Sequence, residues 1–212
     1  MKTVISSFLI LICSYMTIFS QNKIQLPKPE LDKGKSLMEC LEKRQTTRTF
    51  TTEKLNNQKI SNILWAANGL NRPEDNRYTA PTAMNMQELS LYLAKDDGLY
   101  FYNPIDNSLE KLANEDIRKE TGTQVFVGKA DFELIIVADI AKMGKVQDAA
   151  RYQFYAGRDA GYISQNIYLI CASEGIGTVA RGSFDNDKIV KLMKLDKNKF
   201  ITLVHTIGYI DK

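Results

Sequence analysis

Residues 159–174 read DAGYISQNIYLICASE, and their spacing decides the fold class. Ala160, Ile163, Ile167, Ile170 and Cys171 return every three or four positions, which predicts a long helix with one buried face. Gly175 follows as its end cap. Upstream, residues 132–138 (FELIIVA) form a nearly unbroken apolar run, as expected of a central strand covered on both faces. Leu89 to Ala94 alternates, Asp96-Asp97-Gly98 turns, and Leu99 to Tyr102 returns, so a hairpin is expected there. Further out, residues 36–43 (SLMECLEK) predict a helix with Leu37, Cys40 and Leu41 apolar. Asn56 caps another, with Ile60, Ile63, Leu64 and Ala67 buried and a stop at Asn68-Gly69. A short amphipathic helix is expected over 186–194 and a last strand over 201–209. Helices and strands mix without a regular strand–helix–strand period, repeat or inner linker, so one α+β domain is expected.

The chain has 212 residues, 44% hydrophobic and 25% charged, which excludes disordered and low-complexity classes. A net charge of +3 does not indicate a nucleic-acid-binding stripe. Lys2 followed by the apolar run Val4 to Phe19 and the small Ser20 predicts that residues 1–20 are a secretory signal, or an N-terminal membrane anchor if uncleaved. The protein is therefore expected to be exported, to a periplasmic or other extracytoplasmic space. Residues 21–34, with Pro27 and Pro29, read as an extended lead-in, and residues 35–212 as the folded domain. Cys40 and Cys171 remain after the signal, either as one disulfide or as two small buried hydrophobes.

Three segments could carry chemistry. In Arg44-Gln45-Thr46-Thr47-Arg48, two guanidiniums flank a hydroxyl, a set suited to a phosphate and polyol chain. If the first helix continued, Arg44 and Arg48 would share a face; the plain alternative is a solvated basic helix end. In residues 78–87 (YTAPTAMNMQ), Asn85 and Gln87 could point the same way and read an edge bearing donors and acceptors. The alternative there is a simple strand lead-in. In residues 173–185 (SEGIGTVARGSFD), Gly182-Ser183 could bring a bare N–H close to a flat ring. The lone histidine, His205, excludes a His-pair metal site and sits in an apolar strand, which favours a satisfied core residue. Tyr152, Tyr155, Tyr162 and Tyr168 read as packing or interface residues. No CxxC, GxSxG or phosphate-binding loop is present, so no metal site is assigned and the reactive group is expected to come from a cofactor.

Taken in order, these segments resemble the FMN-dependent nitroreductase family, and within it the azoline (thiazole/oxazole) dehydrogenase-like branch. The resemblance rests on Arg44-Gln45-Thr46-Thr47-Arg48, Leu64-Trp65-Ala66-Ala67-Asn68-Gly69, residues 81–87, Gly98 to Tyr102 with Leu109, Gly161 to Leu169, and Gly175-Ile176-Gly177-Thr178. It implies an α+β homodimer, a central mixed or antiparallel sheet flanked by helices, and two FMN molecules at the dimer interface. Arg44, Gln45, Thr46 and Arg48 would hold the phosphate, ribityl chain and pyrimidine edge. Pro81, Thr82, Ala83 and Asn85 would come from the partner chain. Ala180, Arg181, Gly182 and Ser183 would line the ring, with the Gly182 or Ser183 amide facing flavin N5 as the catalytic positions. The implied reaction is ping-pong transfer to or from nitroaromatic, quinone-like or azoline-like small molecules, with NAD(P)H as a candidate donor. An export signal is unusual beside such a donor. Glu88-Leu89 stands where many members have Pro-Trp, and the sequence ends directly after the last strand, where longer members add a tail with basic phosphate ligands. The alternative function on the same scaffold is a non-catalytic flavin-binding or substrate-recognition module.

Overall fold

The apolar run at 132–138 is an inner strand of a seven-stranded sheet. The computed structural model describes residues 23–211 apart from 145 and 147, so the expected 1–20 segment lies outside the described residues. In chain order the strands are β1 (Lys23–Gln25), β2 (Leu70–Arg72), β3 (Arg77–Tyr78), β4 (Leu89–Lys95), β5 (Gly98–Asn103), β6 (Ser108–Ala113), β7 (Phe132–Asp139), β8 (Gly177–Arg181) and β9 (Lys199–Gly208). The large sheet runs β1-β6-β5-β4-β7-β9-β8, and every neighbouring pair is antiparallel. The expectation of a mixed or antiparallel sheet thus resolves to antiparallel, while β2 and β3 form a separate ribbon. The helices are α1 (Leu37–Lys43), α2 (Asn57–Asn68), α3 (Ala149–Glu174) and α4 (Asn186–Leu192).

Period-two alternation in β7 feeds two cores. Leu134 and Ile136 pack with Ile60, Ile63, Ile163 and Ile167 of α2 and α3, whereas Ile135 and Val137 pack with Ile189 and Met193 at α4. Burying each such Ile or Leu contributes about 1.5–3 kcal/mol, so the sheet needs covers on both faces. The helix starts follow from side-chain caps. Ser36, Asn56, Asp148 and Asp185 each accept a backbone N–H in the first turn of α1, α2, α3 and α4. α3 begins ten residues before the predicted Asp159, because Arg151, Gln153 and Arg158 on its open side hide the apolar period. Gly175 ends it at φ 68°, a left-handed cap. Gly69 caps α2 in extended backbone instead, and a Cβ there would lie 2.4 Å from Trp65.

The lead-in is more than an extended approach. Lys23–Gln25 adds an edge strand to β6, and Leu26 is buried behind it, so among the described residues Lys23–Leu26 already pack onto the sheet. Cys40 and Cys171 are both buried and unbonded, which settles them as small hydrophobes. Among the described residues no helix is long and apolar enough to cross a membrane.

Candidate functional site

α1 stops at Lys43, and Arg44 leaves it in extended backbone at φ −59° and ψ 119°. The shared helical face considered for Arg44 and Arg48 therefore does not form. Thr47 instead turns inward, buried, and its N–H donates to Thr178 O of β8 at 3.0 Å. Gln45, Thr46 and Arg48 are left exposed and Arg44 half-buried. The Arg44 guanidinium lies over the Tyr168 ring, 5.3 Å from its centre. Thr46 Oγ1 is 3.1 Å from the Tyr168 hydroxyl, which also accepts the Ala180 N–H at 3.0 Å. Either hydroxyl can donate to the other, and the exposed Thr46 hydroxyl keeps hydrogen-bonding capacity toward solvent. Neither Arg44 nor Arg48 has a carboxylate in ion-pair range among the described residues. Two unneutralised guanidiniums beside an exposed hydroxyl form a surface for an anion. A cleft of about 390 Å³ opens beside Arg44, Gln45 and Tyr168.

One turn down α3 from Tyr168, Ser164 Oγ meets His205 Nε2 at 2.8 Å, and Thr178 Oγ1 meets His205 Nδ1 at 3.0 Å. Burial, with the Arg181 charge nearby, lowers the His205 pKa to about 3, so the ring is a neutral, fully bonded core histidine. Arg181 needs a correction. Its side chain does not face a ligand surface; it is buried against Glu133 at 2.6 Å and donates to Thr121 and Thr206. A buried guanidinium without that carboxylate would be a large cost, so only the Arg181 backbone remains for a ligand.

Gly182 and Ser183 are exposed just beyond β8. Among the described residues neither of their N–H groups has an acceptor. Gly182 borders a cleft of about 400 Å³ with Gln153, Gly157, Phe184, Phe200 and Thr202. A Cβ placed on Gly182 or Gly157 would meet nothing within 4 Å, so the space above both is open. Tyr168, Ser164 and Gly157 thus mark, along α3, the positions of Arg44 and Thr46, of Thr178, and of Gly182.

The third segment is tied elsewhere on the same helix. Thr82 Oγ1 accepts Gln87 N at 2.9 Å, Thr82 O accepts Asn85 N at 3.0 Å, and Ala83 N donates to Asp159 Oδ2 at 2.7 Å. Met84, Asn85 and Gln87 hold φ of 52°, 53° and 52°, a left-handed conformation costly for side-chain-bearing residues. Asn85 and Gln87 do face one another, with Gln87 Nε2 3.3 Å from Asn85 Oδ1. The Gln87 amide is nevertheless engaged by Asn76, donating to its carbonyl at 2.6 Å, so the expected free pair is half spent. Pro81 is exposed at the start of this loop. Asp159 lies nine residues from Tyr168 and two from Gly157, about half a turn round the helix from both, so within one chain the loop and the arginine segment lie on opposite sides of α3.

Sequence reasoning passed over Tyr168, which looked like packing, and the buried acids Glu88 and Asp159. An acid beside each apolar run was the available signal. Residues 41–209 match the profile of the nitroreductase family. A Methanocaldococcus jannaschii protein named as a nitroreductase is 30% identical over 183 residues, 82% of this chain and 90% of that one. A crystal structure from Ralstonia eutropha described as a nitroreductase is 34% identical, covers 90% of each chain and superposes with a TM-score of 0.85. The Vibrio harveyi NADPH:FMN oxidoreductase, complexed with NAD+, shares the fold at 20% identity and a TM-score of 0.63, over 83% of this chain and 69% of that one.

Proposed function

Because the chain belongs to the nitroreductase family, we propose that it is an FMN-dependent oxidoreductase that works as a homodimer. The observation that carries this reading is the line along α3: unneutralised Arg44 and Arg48 with the exposed Thr46 hydroxyl at one end, and the free Gly182 and Ser183 N–H groups over open space at the other. These residues fit the group. Arg44, Gln45, Thr46 and Arg48 would grip the phosphate and ribityl chain, and the Ala180–Ser183 backbone would back the ring. FMN, when bound, supplies hydride and electron transfer at its ring system. The Gly182 and Ser183 amides then serve as preorganised donors where negative charge develops. Phe184 and Phe200 offer flat apolar walls for an aromatic or quinone-like substrate.

Pro81, Thr82, Ala83 and Asn85 hang from Asp159, about half a turn round α3 from both Tyr168 and Gly157, so we read them as reaching the ligand from a second copy. The conformation of that loop supports such a role, since local strain collects at ligand sites. The segment Leu64 to Gly69 supports placement near the azoline dehydrogenase-like branch. We read residues 1–20 as an export signal, which leaves NAD(P)H as one candidate donor among others.

The test is the absorption spectrum of the purified protein, followed by anaerobic mixing with NADH, NADPH and then a nitroaromatic or quinone. A yellow protein that bleaches with a donor and recovers with an acceptor is expected. A colourless protein that takes up no added FMN would sink the reading, and a bound flavin that no donor or acceptor turns over would point to a non-catalytic module. Replacing Thr46 and Arg48 together by Ala removes contacts worth about 1.5–3 kcal/mol each for a charged hydrogen bond, so flavin occupancy should fall by at least about tenfold.

A further inference from the structure

Glu88 follows the Pro81–Gln87 loop directly and is wholly buried; Asp159 is 3% exposed. Neither Glu88 carboxyl oxygen has a hydrogen-bond donor among the described residues. The carboxyl that Glu88 meets is that of Asp159, whose Oδ2 accepts the Ala83 N–H at 2.7 Å. Two carboxylates in contact and out of water cannot both stay charged, and a single proton placed between them satisfies both. The surroundings supply little other neutralisation. Among the described residues Lys142, from the turn after β7, is the cation that acts on Glu88, and its Nζ donates to Gln87 O at 3.1 Å. Asp139 of β7 turns its carboxylate to Ala141 N, and α2 offers only the neutral Asn68, whose amide is 3.4 Å from Leu89 O.

We propose that Glu88 holds a proton that it donates to Asp159, and that this proton fixes the Pro81–Gln87 loop in its ligand-receiving shape, so that loss of the proton releases the loop. With the proton in place, the Glu88 O–H donates to Asp159, and Asp159 keeps its other oxygen on Ala83 N. Without it, the two like charges repel and the Ala83 tether is the contact free to give. The left-handed backbone at Met84, Asn85 and Gln87 adds a tendency to relax once the tether goes. Burial, chiefly, and the Asp159 charge push Glu88 up to about 7, which places the release in the neutral range. Identifying the ligand as FMN rests on the function proposed above; the proton and the loop do not.

The test compares the full chain with Glu88→Gln, whose amide N–H₂ imitates the protonated acid at every pH. Backbone hydrogen exchange of residues 81–87, corrected for intrinsic rate, is followed from about pH 6 to about pH 8.5 without added ligand. In wild type the loop should lose protection above neutrality, and in Glu88→Gln it should not. The FMN dissociation constant, read by fluorescence quenching over the same range, should rise in wild type by up to about 30-fold more than in the variant if only the protonated pair binds. The flavin phosphate titrates in both proteins, so the difference between them isolates the pair. Loop exchange that follows the same pH course in the two proteins overturns the proposal whether or not FMN binds. Exchange that responds as expected while FMN fails to bind upholds the latch and overturns the flavin reading instead. Should Glu88→Gln fail to fold, Asp159→Asn keeps an oxygen for Ala83 N and must likewise erase the pH step; a step that persists there overturns the idea.

Discussion

Tyr168 organises the anion end of the site more than either arginine does. Its ring supports Arg44, its oxygen accepts from Ala180, and its hydroxyl pairs with that of Thr46. Tyr168→Phe keeps the ring and removes only the hydroxyl. Thr46 then loses its hydroxyl partner, and Ala180 N loses its acceptor, at about 1–3 kcal/mol for an orphaned group. Flavin affinity should fall by roughly tenfold, while Arg44, still stacked, keeps the remainder; unchanged affinity by titration would show that Thr46 does not touch the ligand. His205 and Glu88 make opposite demands on pH at the same scale. His205 is depressed to about 3, so below about pH 6.5 the unfolded chain takes up a proton that the folded one refuses, and stability falls with acid. Glu88 is raised to about 7, so between the ordinary carboxylate range near 4.5 and neutrality the folded chain holds the extra proton, and stability falls as pH rises. Each slope is limited to about 1.4 kcal/mol per pH unit. The two windows oppose each other from about pH 4.5 to 6.5, so in chemical denaturation Glu88→Gln should steepen the loss of stability with acid over that range and leave the limb below about pH 4.5 alone.

At the scale of elements, what was legible is what repeats. β7, β9 and the buried half of α3 announce themselves through apolar runs and three-to-four spacing, because burial acts on every residue of those segments. The first half of α3 was not legible, since one helix face there is polar or open and dilutes the period. The extended course of Arg44–Arg48 was hidden too, because it is fixed by one long-range bond, Thr47 N to Thr178 O. The inward turn of Arg181 has the same kind of cause. Its partner Glu133 lies 48 residues away, on the other side of β9. The motifs located the site segments, but which side chains they release to solvent is decided by such distant partners. The Pro81–Gln87 loop allows an element-scale test. Met84 is half exposed at φ 52° and its side chain makes no hydrogen bond, so Met84→Gly removes backbone strain at small loss of packing. The free protein should gain up to about 1 kcal/mol in denaturant unfolding. A loss of stability would mean that the Met84 side chain, not the backbone, is what holds the loop.

For the whole molecule, a single chain leaves apolar surface that needs a cover. Leu37, Met38 and Leu41 of α1 are 63%, 74% and 46% exposed, and Phe154 and Tyr162 of α3 are 59% and 44% exposed. Leu37 and Trp65 border an open groove of about 460 Å³ together with Leu169 and Ile170 of α3. Isolated exposed side chains need no explanation, but several on two neighbouring elements are surface that the proposed dimer would cover. The proposed dimer also accounts for the separation of the Pro81–Asn85 loop from the arginine segment, which one chain cannot close. Interface and flavin site then stand or fall together. Met38→Lys with Leu41→Lys alters only exposed positions, so the helix content and the unfolding transition of the protomer should be kept. Sedimentation should show the dimer lost at micromolar concentration, and FMN occupancy should drop with it, because half of each site has left. If the variant stays dimeric and yellow, α1 lies outside the interface, and the partner loop must approach Gly182 from the Phe154 side of α3 instead.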